Sequence, residues 1–163
     1  MAHLLGDTPL LLHVKHSYTS RQLLAGKLVA FYFSAHWCPP CKRFTQILKR
    51  FYEESAGVEV PFEVVFVSSD RSEEEMAEYL DEQGSWLHLP FGHPTIADIS
   101  RQFSVIGIPF VVVTAPSGEV ITTRGRADIE NRSSTESLLH SWAKLAGLSL
   151  QESSSITPTF TKL

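Results

Sequence analysis

Two runs of the chain are apolar almost without a break. "KLVAFYFS" (27–34) and "PFEVVFVSS" (61–69) join aromatic and β-branched residues in the pattern of strands covered on both faces. Between them the period changes. Phe44, Ile47, Leu48, Phe51 and Tyr52 recur at helical spacing through about residue 55, and Lys42, Arg43, Lys49 and Arg50 fall between them. One amphipathic helix with a single buried face accounts for all nine.

The remaining segments read more briefly. "LLLHV" (10–14) is a short edge strand, and "SYTSRQLLAG" (17–26) a short helix with Ser and Thr as N-cap candidates and Gly26 as its stop. Ser72-x-x-Glu75 has the form of a capping box opening a helix to about Gln83, which Gly84 ends. "SWLHLPFGHP" (85–94) reads as loop, and Pro94 starts a short helix through Phe103. "IPFVVVTA" (108–115) and "EVITTRG" (119–125), joined by "PSG", form a hairpin. Ser133-x-x-Glu136 caps a last helix that carries Leu138, Leu139, Trp142 and Leu145 on one face.

Strands and helices therefore alternate at first, and a hairpin plus helix closes the chain. That order predicts an α/β domain over residues 1–148, a central mixed sheet with helices on both faces. Trp86 and Trp142 read as core. From Ser149 the Ser/Thr-rich tail loses periodicity and reads as disordered. Its terminal "TKL" has Thr161 two residues before an apolar end, the form a PDZ groove accepts by strand addition.

Composition mainly removes alternatives. A chain of 163 residues, 43% hydrophobic and 20% charged, is ordinary for a globular domain. Its 14 basic and 18 acidic side chains give a net charge of -4, which offers no footprint for nucleic acid. Most of the acid lies in "DRSEEEMAEYLDE" (70–82), read as a solvated helix face. No segment has the apolar length of a membrane span, and the first residues lack the pattern of a secretory signal. Two cysteines are too few for a disulfide scaffold, so the expected compartment is the reducing cytoplasm or nucleus.

Those two cysteines, Cys38 and Cys41, sit together in "FSAHWCPPCKRF" (33–44), between a buried strand and a long helix. A redox pair, half of a metal site and two structural thiols all fit that spacing. Zinc needs about four ligands; no further cysteine exists, and the seven histidines are scattered without H-x₃₋₅-H spacing. Position favours redox use. The first helical turn has unpaired N–H groups that stabilise an anion, so the Cys38 thiol should ionise below its free value of about 8.5. Cys41, three residues on along the same helix face, lies within disulfide reach. Pro39 and Pro40 suit a helix start and stiffen it, and Trp37 can shield one side of the pair. Cys38 would attack a substrate disulfide and Cys41 would resolve the mixed disulfide. No metal or cofactor is called for.

"VIGIPFVVV" adds a second feature. Pro109 stands at the entrance to a buried strand, where an interior proline is costly, and a cis Ile108–Pro109 bond would accommodate it and expose backbone toward the cysteines.

These residues resemble the thioredoxin superfamily, and "FYFSAHWCPPCKRFT", "FEVVFVSSDRSEEEMAEYLDE", "WLHLPF" and "GEVITTRGR" are similar to one branch of it. That branch holds nucleoredoxins, nucleoredoxin-like proteins (rod-derived cone viability factors) and tryparedoxins. The resemblance covers about residues 20–145, and the chain's length matches a single-domain nucleoredoxin-like protein. It implies a thioredoxin-like fold and dithiol–disulfide exchange with protein substrates, driven by an upstream electron donor. Cys38 becomes the nucleophile, Cys41 the resolver and Pro109 the cis proline, while Gly107 and Ile108 line a groove for an extended peptide. Thioredoxins proper carry a buried Asp six residues before the first cysteine; Tyr32 stands there, which leaves the proton acceptor for Cys41 open. Some nucleoredoxin-like proteins with degraded motifs act as binding or trophic factors, the alternative to an enzyme.

Overall fold

The structure is a computed structural model and describes residues 2–12 and 16–148. His13 and the tail, with its Thr-Lys-Leu end, lie outside the described residues. In chain order the elements are α1 (Ala2–Leu5), β1 (Pro9–Leu12), β2 (His16–Thr19), α2 (Ser20–Leu24), β3 (Leu28–Ser34), α3 (Pro39–Ser55) and β4 (Phe62–Ser68). There follow α4 (Glu73–Glu82), β5 (Leu87–His88), α5 (Pro94–Gln102), β6 (Phe110–Thr114), β7 (Val120–Thr122), α6 (Gly125–Glu130) and α7 (Thr135–Leu145).

Sheet order is β2-β1-β5-β4-β3-β6-β7. β3 pairs in parallel with β4 and antiparallel with β6, so the expected mixed sheet is present. All seven residues of β3 are buried. Because strand side chains alternate, β3 feeds two cores at once. Leu28, Ala30 and Tyr32 join Phe44, Leu48 and Phe51 of α3, Tyr79, Trp86 and Trp142 on one face. Val29, Phe31 and Phe33 join Leu10, Leu24, Ile99 and Phe103 on the other. Burying each such side chain contributes about 1.5–3 kcal/mol, which is why the two continuous runs occupy the sheet centre.

Several elements differ from the sequence expectation. Ser17–Thr19, read as the start of a helix, belong with His16 to a strand pairing with β1 from Pro9↔Thr19 to Leu12↔His16; the helix begins only at Ser20. Leu87–His88, read as loop, is a strand bridging β1 and β4. Two residues carry no period to read, and only their neighbours make them a strand. α6 was also not foreseen: "EVITTRG" stops pairing at Thr122, and Gly125 opens a helix. The last helix is capped by Ser134, whose hydroxyl accepts from the Ser137 N–H at 3.0 Å, not by Ser133. Ser72 caps α4 as expected, accepting from Glu75 N–H at 3.1 Å, whereas the Glu75 carboxylate reaches back to Arg71 N–H at 3.0 Å. On α3, Ile47 is 36% exposed and Thr45 is buried in its stead. Among the described residues, no helix is long and apolar enough to cross a membrane.

Gly125 is where α6 meets β6. A Cβ there would lie 2.6 Å from Val111 Cγ1 and 3.0 Å from the Val111 carbonyl oxygen. Gly125→Ala must displace a central strand and should lower stability by about 1–3 kcal/mol. Urea unfolding checks this: the midpoint should fall at constant slope, and an unchanged midpoint would refute the close approach.

Candidate active site

β3 ends at Ser34 and α3 begins at Pro39, so residues 35–38 are a short turn from the sheet centre to a helix start. Cys38 is the N-cap, in extended backbone geometry, with prolines in the first turn as expected. Its Sγ accepts the Cys41 N–H at 3.3 Å, and its carbonyl accepts the Lys42 N–H at 3.1 Å. Cys38 and Cys41 are joined as a disulfide, with Cα atoms 5.2 Å apart. Cys38 is 5% exposed and Cys41 fully buried, so an incoming thiol reaches Cys38 first.

Across the pair stands the chain entering β6. The Ile108–Pro109 bond is cis, and the Ile108 carbonyl oxygen lies 4.0 Å from Cys38 Sγ. Ile108 packs against Ala35, Cys38 and Cys41. Gly107 is exposed, and Ile106, which sequence reasoning passed over, is wholly exposed beside it. Trp37 is 42% exposed; its Nε1 donates to the Ser69 carbonyl at 3.1 Å, and the Arg71 guanidinium stacks 4.7 Å from the ring centroid. The geometry thus brings Trp37, Cys38, Pro39, Pro40, Cys41, Ile108 and Pro109 to one end of the sheet.

Two groups of residues around this site were missed. Asp70 belongs to the acidic run read as a solvated face, yet it is buried beneath the turn. Its carboxylate accepts the His36 N–H at 2.7 Å and the Ser68 hydroxyl at 2.6 Å, which fixes the residues leading into Cys38. Burial raises its pKa, outweighing the bonds from Ser68 and His36 that lower it. Glu82, at the far end of the run, faces His36 at 3.3 Å and Lys42 at 3.6 Å, exposed pairs of small energetic value. Glu73, Glu74 and Glu78 do form the solvated face.

The second group surrounds Tyr32. Its hydroxyl meets Thr45 at 2.7 Å, Ser34 at 3.0 Å, the Cys41 carbonyl at 3.1 Å and Tyr79 at 3.4 Å. Burial, reinforced by Tyr79, raises the Tyr32 pKa far above the ordinary phenol value, so Tyr32 stays neutral. The "EEEMAEYLDE" stretch gave no hint of Tyr79, because a buried aromatic on a helix reads as core.

A thioredoxin-like family profile matches residues 26–120 of the chain. The chain belongs to the thioredoxin-like family. A probable nucleoredoxin 1 of Arabidopsis thaliana is 44% identical over 103 residues, which are 63% of this chain and 18% of that protein. The tryparedoxin of Trypanosoma brucei brucei is 40% identical over 108 residues, 65% of this chain and 74% of that one. Thioredoxin from Wuchereria bancrofti superposes with a TM-score of 0.74 at 43% identity, covering 86% of this chain and 96% of that one. These likenesses place the chain in the nucleoredoxin/tryparedoxin branch and establish the thioredoxin-like fold. The chain spans less than a fifth of the length of the Arabidopsis relative.

The Asp70 geometry generates a pH prediction. A carboxyl whose folded pKa lies above its unfolded one binds more protons when folded, so its stabilising contribution is full below the unfolded value. That contribution is lost as pH rises from about 4 through the higher folded value. Asp70→Asn removes the titration. Wild type should lose stability relative to the variant over that window, measured by urea unfolding at a series of pH values. A difference that is flat, or that moves the other way, would contradict a burial-dominated carboxyl.

Proposed function

We propose that the chain is a thiol–disulfide oxidoreductase acting on disulfides in proteins. The observation that carries this reading is the Cys38–Cys41 disulfide at the mouth of α3, with the Cys41 N–H directed at Cys38 Sγ. In the reduced protein that N–H and the helix dipole favour a Cys38 thiolate. The thiolate attacks one sulfur of a client disulfide and displaces the other as a thiolate. Cys41 loses its proton and attacks Cys38 Sγ; the client sulfur bonded to Cys38 leaves as a thiolate, and the Cys38–Cys41 disulfide forms again.

Gly107 and the Ile108 carbonyl, facing Cys38, are suited to pair with an extended client segment by main-chain hydrogen bonds. Pro109 sets that edge in place, and Trp37, Pro39 and Pro40 hold the other side of the pair. An upstream dithiol donor re-reduces the disulfide in each cycle. The setting we propose is the reducing cytoplasm or nucleus, where such a donor is at hand and which the sparse cysteine content fits. Within it, the chain would help to maintain the cell's thiol balance.

Turnover of insulin disulfides with dithiothreitol as donor tests the reading. Wild type should accelerate precipitation of the freed chains, Cys38→Ser should fall to the uncatalysed rate, and Cys41→Ser should accumulate a mixed disulfide visible by mass. Equal, background-level rates in wild type and Cys38→Ser would remove the enzyme reading and leave a binding module.

A further inference from the structure

Beneath Cys41 lie four hydroxyls with almost no access to solvent: Tyr32, Ser34 and Tyr79 at 0% exposure and Thr45 at 1%. They come from β3, α3 and α4. One arrangement of their four protons closes a ring. Ser34 donates to Tyr32 at 3.0 Å. Its 2.6 Å contact with Tyr79 must then use the Tyr79 proton. In turn, the 2.6 Å contact between Thr45 and Tyr79 uses the Thr45 proton, and the 2.7 Å contact between Tyr32 and Thr45 uses that of Tyr32. In that arrangement each hydroxyl donates once and accepts once; a proton turned to the Cys41 carbonyl opens the cycle at that hydroxyl.

The cycle hydrogen-bonds to the active site at the Cys41 carbonyl. The Cys41 carbonyl oxygen lies 3.1 Å from the Tyr32 hydroxyl and 2.9 Å from that of Thr45. Either can turn its proton from the cycle to the carbonyl, so Cys41 is held by two interchangeable donors. A buried neutral network of this kind is rigid, because every broken bond strands a polar group away from water.

We propose that Tyr32 and Thr45, backed by Ser34 and Tyr79, are positioning residues for the resolving thiol. This rests on the reading of Cys41 as resolver. When the disulfide is open and Cys38 carries a client, Cys41 Sγ loses its covalent tie to Cys38. The two hydroxyls on its carbonyl then keep that residue, and with it Cys41 Sγ, aimed at the mixed disulfide. The cycle does not take the Cys41 proton. It holds no ionised member, and Tyr32 resists ionisation through burial. Its bonds run to its own members and to the Cys41 carbonyl.

The test uses dithiobis(nitrobenzoate) and the fully reduced protein. Attack by the Cys38 thiolate releases one nitrothiobenzoate, and attack by Cys41, which gives up its proton, on the mixed disulfide releases the second and closes Cys38–Cys41. Both steps are read by absorbance in stopped flow. The reagent requires only two thiols and no protein client, so the result stands whether or not insulin is turned over. Tyr32→Phe and Thr45→Val should slow the second step by about two- to tenfold, the worth of one hydrogen bond, and leave the first unchanged. Thr45→Ser, which keeps the hydroxyl, should restore the second step, and its pH profile should keep the wild-type midpoint in every variant. Equal slowing of both steps, no slowing, a Thr45→Ser as slow as Thr45→Val, or a displaced midpoint would each overturn the proposal. Should Tyr32→Phe fail to fold, the Thr45 pair decides alone.

Discussion

The site depends on one hydrogen bond, from the Cys41 N–H to Cys38 Sγ at the first turn of α3. A helix start has more N–H groups than carbonyls to receive them, and this chain satisfies one with sulfur. The residue that would ordinarily be a Ser or Asp cap is a cysteine. Capping and nucleophilicity thereby become the same interaction, since whatever stabilises the helix start also stabilises the thiolate. Prolines in the first turn have no N–H to offer, so they leave the Cys41 amide without a neighbouring competitor for the sulfur.

That bond has value only if the helix start is held still relative to the sheet. β3 runs through the middle of the sheet and delivers the turn from a fully buried strand. Asp70, on the loop after β4, pins the turn from below through His36 N–H, and the Ser69 carbonyl pins Trp37 from the side. Period-two alternation in β3 places Tyr32 on the face that packs against α3, where its hydroxyl reaches the Cys41 carbonyl. A neutral hydroxyl network thus stands at the position where thioredoxins proper carry an acid. It can hold geometry without a charge of its own, and for the same reason it cannot serve as a base.

Much of this was legible along the chain. The continuous runs 27–34 and 61–69 became the two central parallel strands, and Phe44, Leu48 and Phe51 became the buried face of α3. The cysteine pair stood at the helix start and the cis bond before β6, both as expected. What escaped was made by distant partners. Leu87–His88 is a strand because Val65, Phe66 and Leu11 lie beside it, and His16–Thr19 because β1 folds back on it. Tyr79 is 47 residues from Tyr32, and Asp70 is 34 from His36.

The available chemistry can be read along the chain, because it needs only a dithiol spacing, a helix start after a buried strand and a proline ahead of a late strand, all local signals. Tertiary structure alone decided the surroundings that tune it. Asp70 lies inside an acidic run and Tyr79 on an amphipathic helix, and nothing in their neighbours separates a solvated carboxylate from a buried one or a core aromatic from a hydrogen-bonding one. The distinction arises only when β3, β4, α3 and α4 pack together and water is excluded. A polar group must then find its partner across the fold instead of along the chain.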